Sequence, residues 1–182
     1  MTDAARELSR ALLATELPRR WAHTQGVARQ ATTLRATLGD DAGLVEAAAW
    51  LHDIGYAAPL VSSGFHPLDG ARHLRDSGFG DRALWTLVAQ HTGASVEAEQ
   101  RGLDDVLAAE FPVSDVDSFL LTALTYCDVT TGPDGNPVDV AERLAEILAR
   151  YPPDHVVHKS ISRSAPILRA QAAEISAILE TA

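Results

Sequence analysis

The 182-residue chain has one cysteine, Cys127, and one lysine, Lys159. A lone cysteine excludes an intrachain disulfide and any multi-cysteine zinc site within the chain. Arginine carries nearly all the positive charge, and the arginines form no basic tract. With a formal net charge of -10, a protein that coats duplex nucleic acid is disfavoured. A small anionic substrate stays open, because a bound metal can outweigh the global field locally. No run of about 18 apolar residues occurs, so no membrane span is expected. The N-terminal stretch MTDAARELSRALLATELPRR is amphipathic and charged, without the apolar centre of a secretory signal. The expectation is a soluble, cytoplasmic protein. Alternating β-branched runs are nearly missing as well, which argues against a sheet.

Helical periodicity fills the chain instead. Residues 4 to 16 read as a first helix, and Pro18 suits the start of a second that runs to Leu38. Asp40 or Asp41 can cap a third, AGLVEAAAWLHD, broken at Gly55 and Pro59. Pro67 can open a fourth, and GDRALWTLVAQHT reads as a fifth that stops at Gly93. The acidic segment SVEAEQRGLDDVLAAEF reads as short helical turns, with Glu97, Glu99, Asp104, Asp105 and Glu110 as a solvated face. Ser114 or Asp115 can cap SDVDSFLLTALTYCDVTT, GPDGNP is a turn, and VDVAERLAEILARY is a helix stopped by two prolines. The last helix spans Ser160 to Ile178. There is no fixed-period repeat and no linker long enough to separate domains. The expectation is one all-α domain over residues 1–182, with a core at roughly 18–150 and flanking helices.

The chemistry resides in histidines and aspartates. Four histidines, His23, His52, His66 and His91, and two aspartates, Asp53 and Asp128, fall at helix ends or on apolar helix faces. A buried imidazole or carboxylate without a partner is costly, and Asp128 amid LTYC has the least room for an ordinary explanation. Such positions can converge inside a helical bundle. Imidazole and carboxylate suit iron, manganese, zinc and similar divalent ions. Six ligands exceed what one tetrahedral zinc needs and would suit two metals, with Asp53 between them.

The ordered set His23, His52-Asp53, His66, His91, Asp128 resembles the HD-domain superfamily of metal-dependent phosphohydrolases. WLHDIG stands where that family commonly has LLHDIG. FHPLDGARHL, LVAQHTGA and TYCDVTTGPDG resemble its later ligand segments in the two-metal branch. The resemblance implies an all-α helical bundle of the HD-domain type and two divalent metal ions, with Fe, Mn, Zn, Co and Mg not distinguished. It implies that His23, His52, Asp53 and Asp128 hold the first ion and that Asp53 bridges. His66 and His91 would complete the second site. A metal-bound hydroxide would attack a small phosphate ester or nucleotide, which makes His52, Asp53, His66 and His91 the catalytic set. If His66, which precedes Pro67, is instead a loop residue, one ion remains.

One departure matters. Many HD hydrolases continue as HDIGK, and here that position is Tyr56. No glycine-tyrosine-proline motif follows His91, which argues against a cyclic-dinucleotide phosphodiesterase of the HD-GYP kind. Some HD proteins with the same ligand series are di-iron oxygenases, so that reading stays open. So does a non-catalytic, metal-stabilised binding module. Positive charge for a substrate falls first to Arg20, three residues before His23 on the same helix face. Tyr56 and Arg72 are further substrate-binding candidates. His73 reads as exposed or adjacent to the site, His155 and His158 as loop residues, and Trp21, Trp50, Trp85 and Cys127 as core. The terminal amphipathic helices leave room for a homo-oligomer.

Overall fold

The computed structural model describes residues 1–181, and it is built from helices with no strand among the described residues. They are α1 (Thr2–Leu13), α2 (Pro18–Thr33), α3 (Arg35–Leu38), α4 (Ala42–Leu51), α5 (His66–Asp76) and α6 (Arg82–Gln90). Then follow α7 (Ala94–Arg101), α8 (Asp104–Glu110), α9 (Ser118–Val129), α10 (Val140–Arg150) and α11 (Val156–Thr181). Among the described residues no helix is long and apolar enough to cross a membrane.

Helix α4 is the hub. It packs against α1, α2, α6 and α9. Its run Ala47, Ala48 and Ala49 is fully buried, and such small side chains let several helices approach one axis. A helix apolar all round belongs in the interior, and α4 ends there, carrying His52 and Asp53 into the centre. Helix α9 is the second buried strut, with every residue from Leu120 to Val129 buried. Long α11 lies across α9, α7 and α10. Trp21 and Trp50 pack ring against ring at 5.6 Å beside the site.

Several boundaries differ from those the sequence predicts. The second helix stops at Thr33 rather than Leu38. The hydroxyls of Thr32 and Thr33 bond back to the carbonyls of Arg29 and Gln30, and such bonds compete with helix propagation. Asp41 holds the cap position of α4 without a capping bond. Asp117, not Ser114 or Asp115, caps α9 by accepting from the Phe119 N–H at 2.8 Å. Helix α11 begins at Val156 and runs through Pro166. That proline is exposed and so is Ser162, whose carbonyl it leaves unpaired and open to water. His158 is therefore a helical residue rather than a loop residue, whereas His155 lies in the bend just before the helix, as expected. His155 stacks on Tyr151 at 4.6 Å and accepts from the Val157 N–H. The His158 Nδ1–H faces the Leu148 and Tyr151 carbonyls.

The turn between α9 and α10 is fastened to α2. Thr131 and Pro137 pair across it. Arg29 donates to the Gly135 carbonyl at 2.8 Å, and Arg19 pairs with Asp134 at 3.1 Å. Gly135 has φ +79, and a Cβ there would fall 2.2 Å from the Ala22 carbonyl oxygen. Only glycine permits both the left-handed backbone and that approach.

Candidate metal centre

Three histidines reach the centre by the same device. At the C-terminal end of α4, the His52 Nδ1–H donates to the Ala49 carbonyl at 2.8 Å. At the end of α6, the His91 Nδ1–H donates to the Val88 carbonyl at 2.7 Å. Helix ends leave carbonyls without intrahelical partners, so each ring caps its own helix. From α2, the His23 Nδ1–H donates to the Gly132 carbonyl at 3.0 Å. A ring fixed through Nδ1 presents the lone pair of Nε2 inward, the tautomer a metal ligand needs.

Those lone pairs surround Asp53. Its Oδ2 lies 3.3 Å from His52 Nε2 and 4.0 Å from His23 Nε2, and its Oδ1 lies 3.4 Å from His66 Nε2. His66 Nε2 is 3.3 Å from His91 Nε2. His23 Nε2 is 3.0 Å from Asp128 Oδ1. Donor atoms of His23, His52 and Asp53 lie within 4.8 Å of one another, and so do those of Asp53, His66 and His91. Asp53 is common to both groups. Asp128 stands beside the first group through His23.

The donor set fits a cation. His52 Nε2 is buried and has no hydrogen-bond partner. An isolated buried ring nitrogen is costly, and a divalent ion satisfies it. Lone pairs facing carboxylates at 3.0–3.4 Å likewise require a proton or a cation between them. Burial opposes ionisation of Asp53, yet the Arg20 guanidinium and His52 hold its carboxyl well below the usual range. Burial also opposes ionisation of Asp128, and the His23 hydrogen bond holds it low. Burial and neighbouring positive charge push His66 and His91 down. For His52, burial is outweighed by Asp53 and Asp128, and its pKa is raised to about 9. Ionised carboxylates suit a divalent metal, whose binding would displace the His52 proton.

Around this centre opens a cleft of about 710 Å³, open mouth included. Arg20 borders it and donates to Asp53 Oδ2 at 2.8 Å. Its guanidinium lies 3.9 Å over the Tyr56 ring, and that ring stacks on His66 at 4.0 Å. Burial pushes the Tyr56 phenol up, so it remains a neutral hydrogen-bond donor.

Arg72 is not brought to the cleft. It points to α8, where Glu110 accepts from Arg72 and, at 2.7 Å, from Arg75. Glu110 is thus not on a solvated face, and neither is Glu97, which borders the cleft and pairs with Arg101 at 2.7 Å. The Glu110 pair ties α5 to α8. The hydrogen bonds from Arg72, despite some burial, lower the Glu110 pKa from 4.5 to about 2. A depressed carboxyl pKa contributes stability that is present above the unfolded value and lost as pH falls through the folded one. Glu110→Gln is expected to cost about 1 kcal/mol at pH 7, allowing for partial exposure. Urea unfolding should show the gap to the native chain narrowing as pH drops from about 5 toward 3. A gap that ignores pH would show that the charge is not its source.

Sequence reasoning also missed Thr92. Its backbone has φ 44, uncommon for a β-branched residue. That geometry lets its hydroxyl donate to Asp128 Oδ2 at 2.6 Å. The histidine-threonine pair after α6 gives no sign of this without the fold.

Comparison with known proteins agrees with this geometry. The family described as HD domain matches residues 20–131. Ribonuclease Y of Rubrobacter xylanophilus is 32% identical over 88 residues, covering 48% of this chain and 16% of that protein. The chain therefore spans only a small part of that relative's length. No solved structure matches. Every one of the six ligand candidates lies inside the matched segment, whereas α10 and α11 lie beyond it.

Proposed function

The chain belongs to the HD domain family, and from that premise we propose that it is a metal-dependent phosphohydrolase acting on a small phosphate ester or nucleotide. The observation that carries this reading is the sharing of Asp53 between two groups of metal-competent donors. His23, His52, Asp53 and Asp128 would hold one divalent ion, and Asp53, His66 and His91 a second. Bound ions would supply an activated water and Lewis-acid stabilisation of a phosphoryl oxygen.

The chain's own residues do the remainder. The three Nδ1–H bonds keep His23, His52 and His91 from rotating, so little order is left to impose at binding. Arg20 uses one donor on Asp53 and keeps others to orient a phosphoryl group in the cleft. It supplies the positive charge that Tyr56 lacks. Tyr56 holds the Arg20 and His66 planes in place by stacking. The whole chain is taken as one domain, because α1 packs on α4 and α11 on α9. A small substrate rather than duplex nucleic acid fits the size of the cleft and the net charge of -10.

The test is metal analysis of protein purified without chelator, paired with assays on phosphate esters and an oxygen electrode. Bound divalent metal with ester hydrolysis supports the proposal. Two irons with oxygen uptake would replace it by the di-iron oxygenase, and metal without either activity by the binding module. Metal at about a hundred times its dissociation constant adds about 2.7 kcal/mol to stability. Chelation is therefore expected to lower the Tm by roughly 5–10 °C, and readdition to restore it.

A further inference from the structure

Helix α10 brings to the cleft a group that the metal chemistry does not use. Residues Arg143, Ile147 and Arg150 lie on one face of it, at helical spacing, and border the cleft. Arg143 is only 6% exposed. It donates to Glu146 at 2.7 Å, yet its buried Nε has no partner. A buried guanidinium N–H without an acceptor is costly, and this one is held beside the cleft all the same. Arg150 donates its Nε to the other oxygen of Glu146 at 3.1 Å.

Arg20 comes from the metal side. With Arg19, Arg143 and Arg150 it borders an open recess of about 300 Å³, mouth included, next to His23. Arg19 is committed to Asp134 and one donor of Arg20 to Asp53. Among the described residues Glu146 is the carboxylate that pairs with Arg143 and Arg150, and Asp128 faces Arg143 across the cleft. Two guanidinium groups thus share one paired carboxylate here, in a chain whose net charge is -10. On the same side of the cleft, Leu144, Ile147 and Ile161 offer an apolar surface.

We propose that this recess is a second anion subsite, and that the substrate is a phosphate ester bearing a further phosphoryl or carboxylate group that Arg143 and Arg150 bind. The position of the scissile group rests on the phosphohydrolase reading, but binding to the recess can be measured without turnover. Arg143 lines the recess with its guanidinium, and Arg150 closes it from the end of α10.

Isothermal titration of the metal-loaded chain, freed of unbound metal, reads this directly with inorganic phosphate, pyrophosphate and phosphoglycolate. Metal content after each titration confirms that the ions stay in place. A two-headed anion is expected to bind at least about tenfold more tightly than phosphate. If pyrophosphate leads, the second group is phosphoryl. If phosphoglycolate leads, it is a carboxylate. Arg143→Leu is expected to shrink the preference to about threefold or less, and Arg143→Lys to recover some of it. Equal affinities in the native chain, or a preference that survives Arg143→Leu, would overturn the proposal. If Arg143→Leu does not fold, Arg150→Leu at the more open end must weaken the same preference, and the proposal falls if it does not. Failure of the phosphohydrolase reading looks different: the preference for two-headed anions persists while no phosphate ester is turned over.

Discussion

Asp53→Ala is expected to strip the protein of metal and activity in one step. Both donor groups converge on this carboxylate, so its removal takes a ligand from each. Metal content by elemental analysis should fall to background. Ester hydrolysis should drop by a factor of about a thousand or more, since charge stabilisation and an activated water vanish together. Stability should fall too. Asp53 is buried against Arg20 at 2.8 Å, and breaking such a pair strands the remaining charge at a cost of about 3–5 kcal/mol. Added metal should no longer raise the Tm. His91→Ala makes the contrast, because it touches only the group of Asp53, His66 and His91 and should retain some of the metal. Full metal content in Asp53→Ala would refute the shared-ligand assignment.

Gly55→Ala is expected to disable the site without altering a ligand. A Cβ on Gly55 would lie 2.0 Å from the His66 carbonyl oxygen and 2.7 Å from the Gly70 nitrogen. Both are backbone atoms, so no side chain can yield. The first turn of α5 must move, and His66 moves with it. Overpacking against backbone is expected to cost about 3 kcal/mol or more, and to lower the Tm by roughly 6–12 °C. A ligand displaced by about 1 Å costs about a hundredfold in rate. Gly43→Ala serves as a control of opposite sign. It lies in α4 with nothing within 4 Å of an added methyl, and helix propensity favours alanine there by about 0.5–1 kcal/mol. Thermal melts and initial rates of the two variants separate steric clash from a general effect of adding a methyl.

The sequence made the family legible because the candidate ligands sit where helices end. His52, Asp53 and His91 interrupt apolar patterns at positions that ordinary packing does not explain, and Asp128 does so inside α9. The all-α class followed from periodicity alone. Arg143 and Arg150 were not legible. In AERLAEILAR they look like the polar face of any amphipathic helix, and only the docking of α10 turns that face toward the cleft. Arg72 failed for the converse reason. It shares α5 with His66, but six residues place it about 120° round the helix, and Glu110, distant in the chain, claims its donors. Ion pairs between helices that are remote in sequence leave no local trace.

The fastening of the 132–136 turn to α2 has a consequence for inheritance. The candidate metal ligands all precede it, within residues 20–131, and the arginine face of α10 follows it. The clasp of Gly135 against Ala22 and Arg29 separates two portions of the chain that bear on the same cleft. Mutations accumulating on α10 can redraw what enters the cleft while the His/Asp cluster stays untouched. Descendants of one ancestor can then diverge in diet and share their chemistry, and transplanting this helix between them is the direct way to exchange appetites.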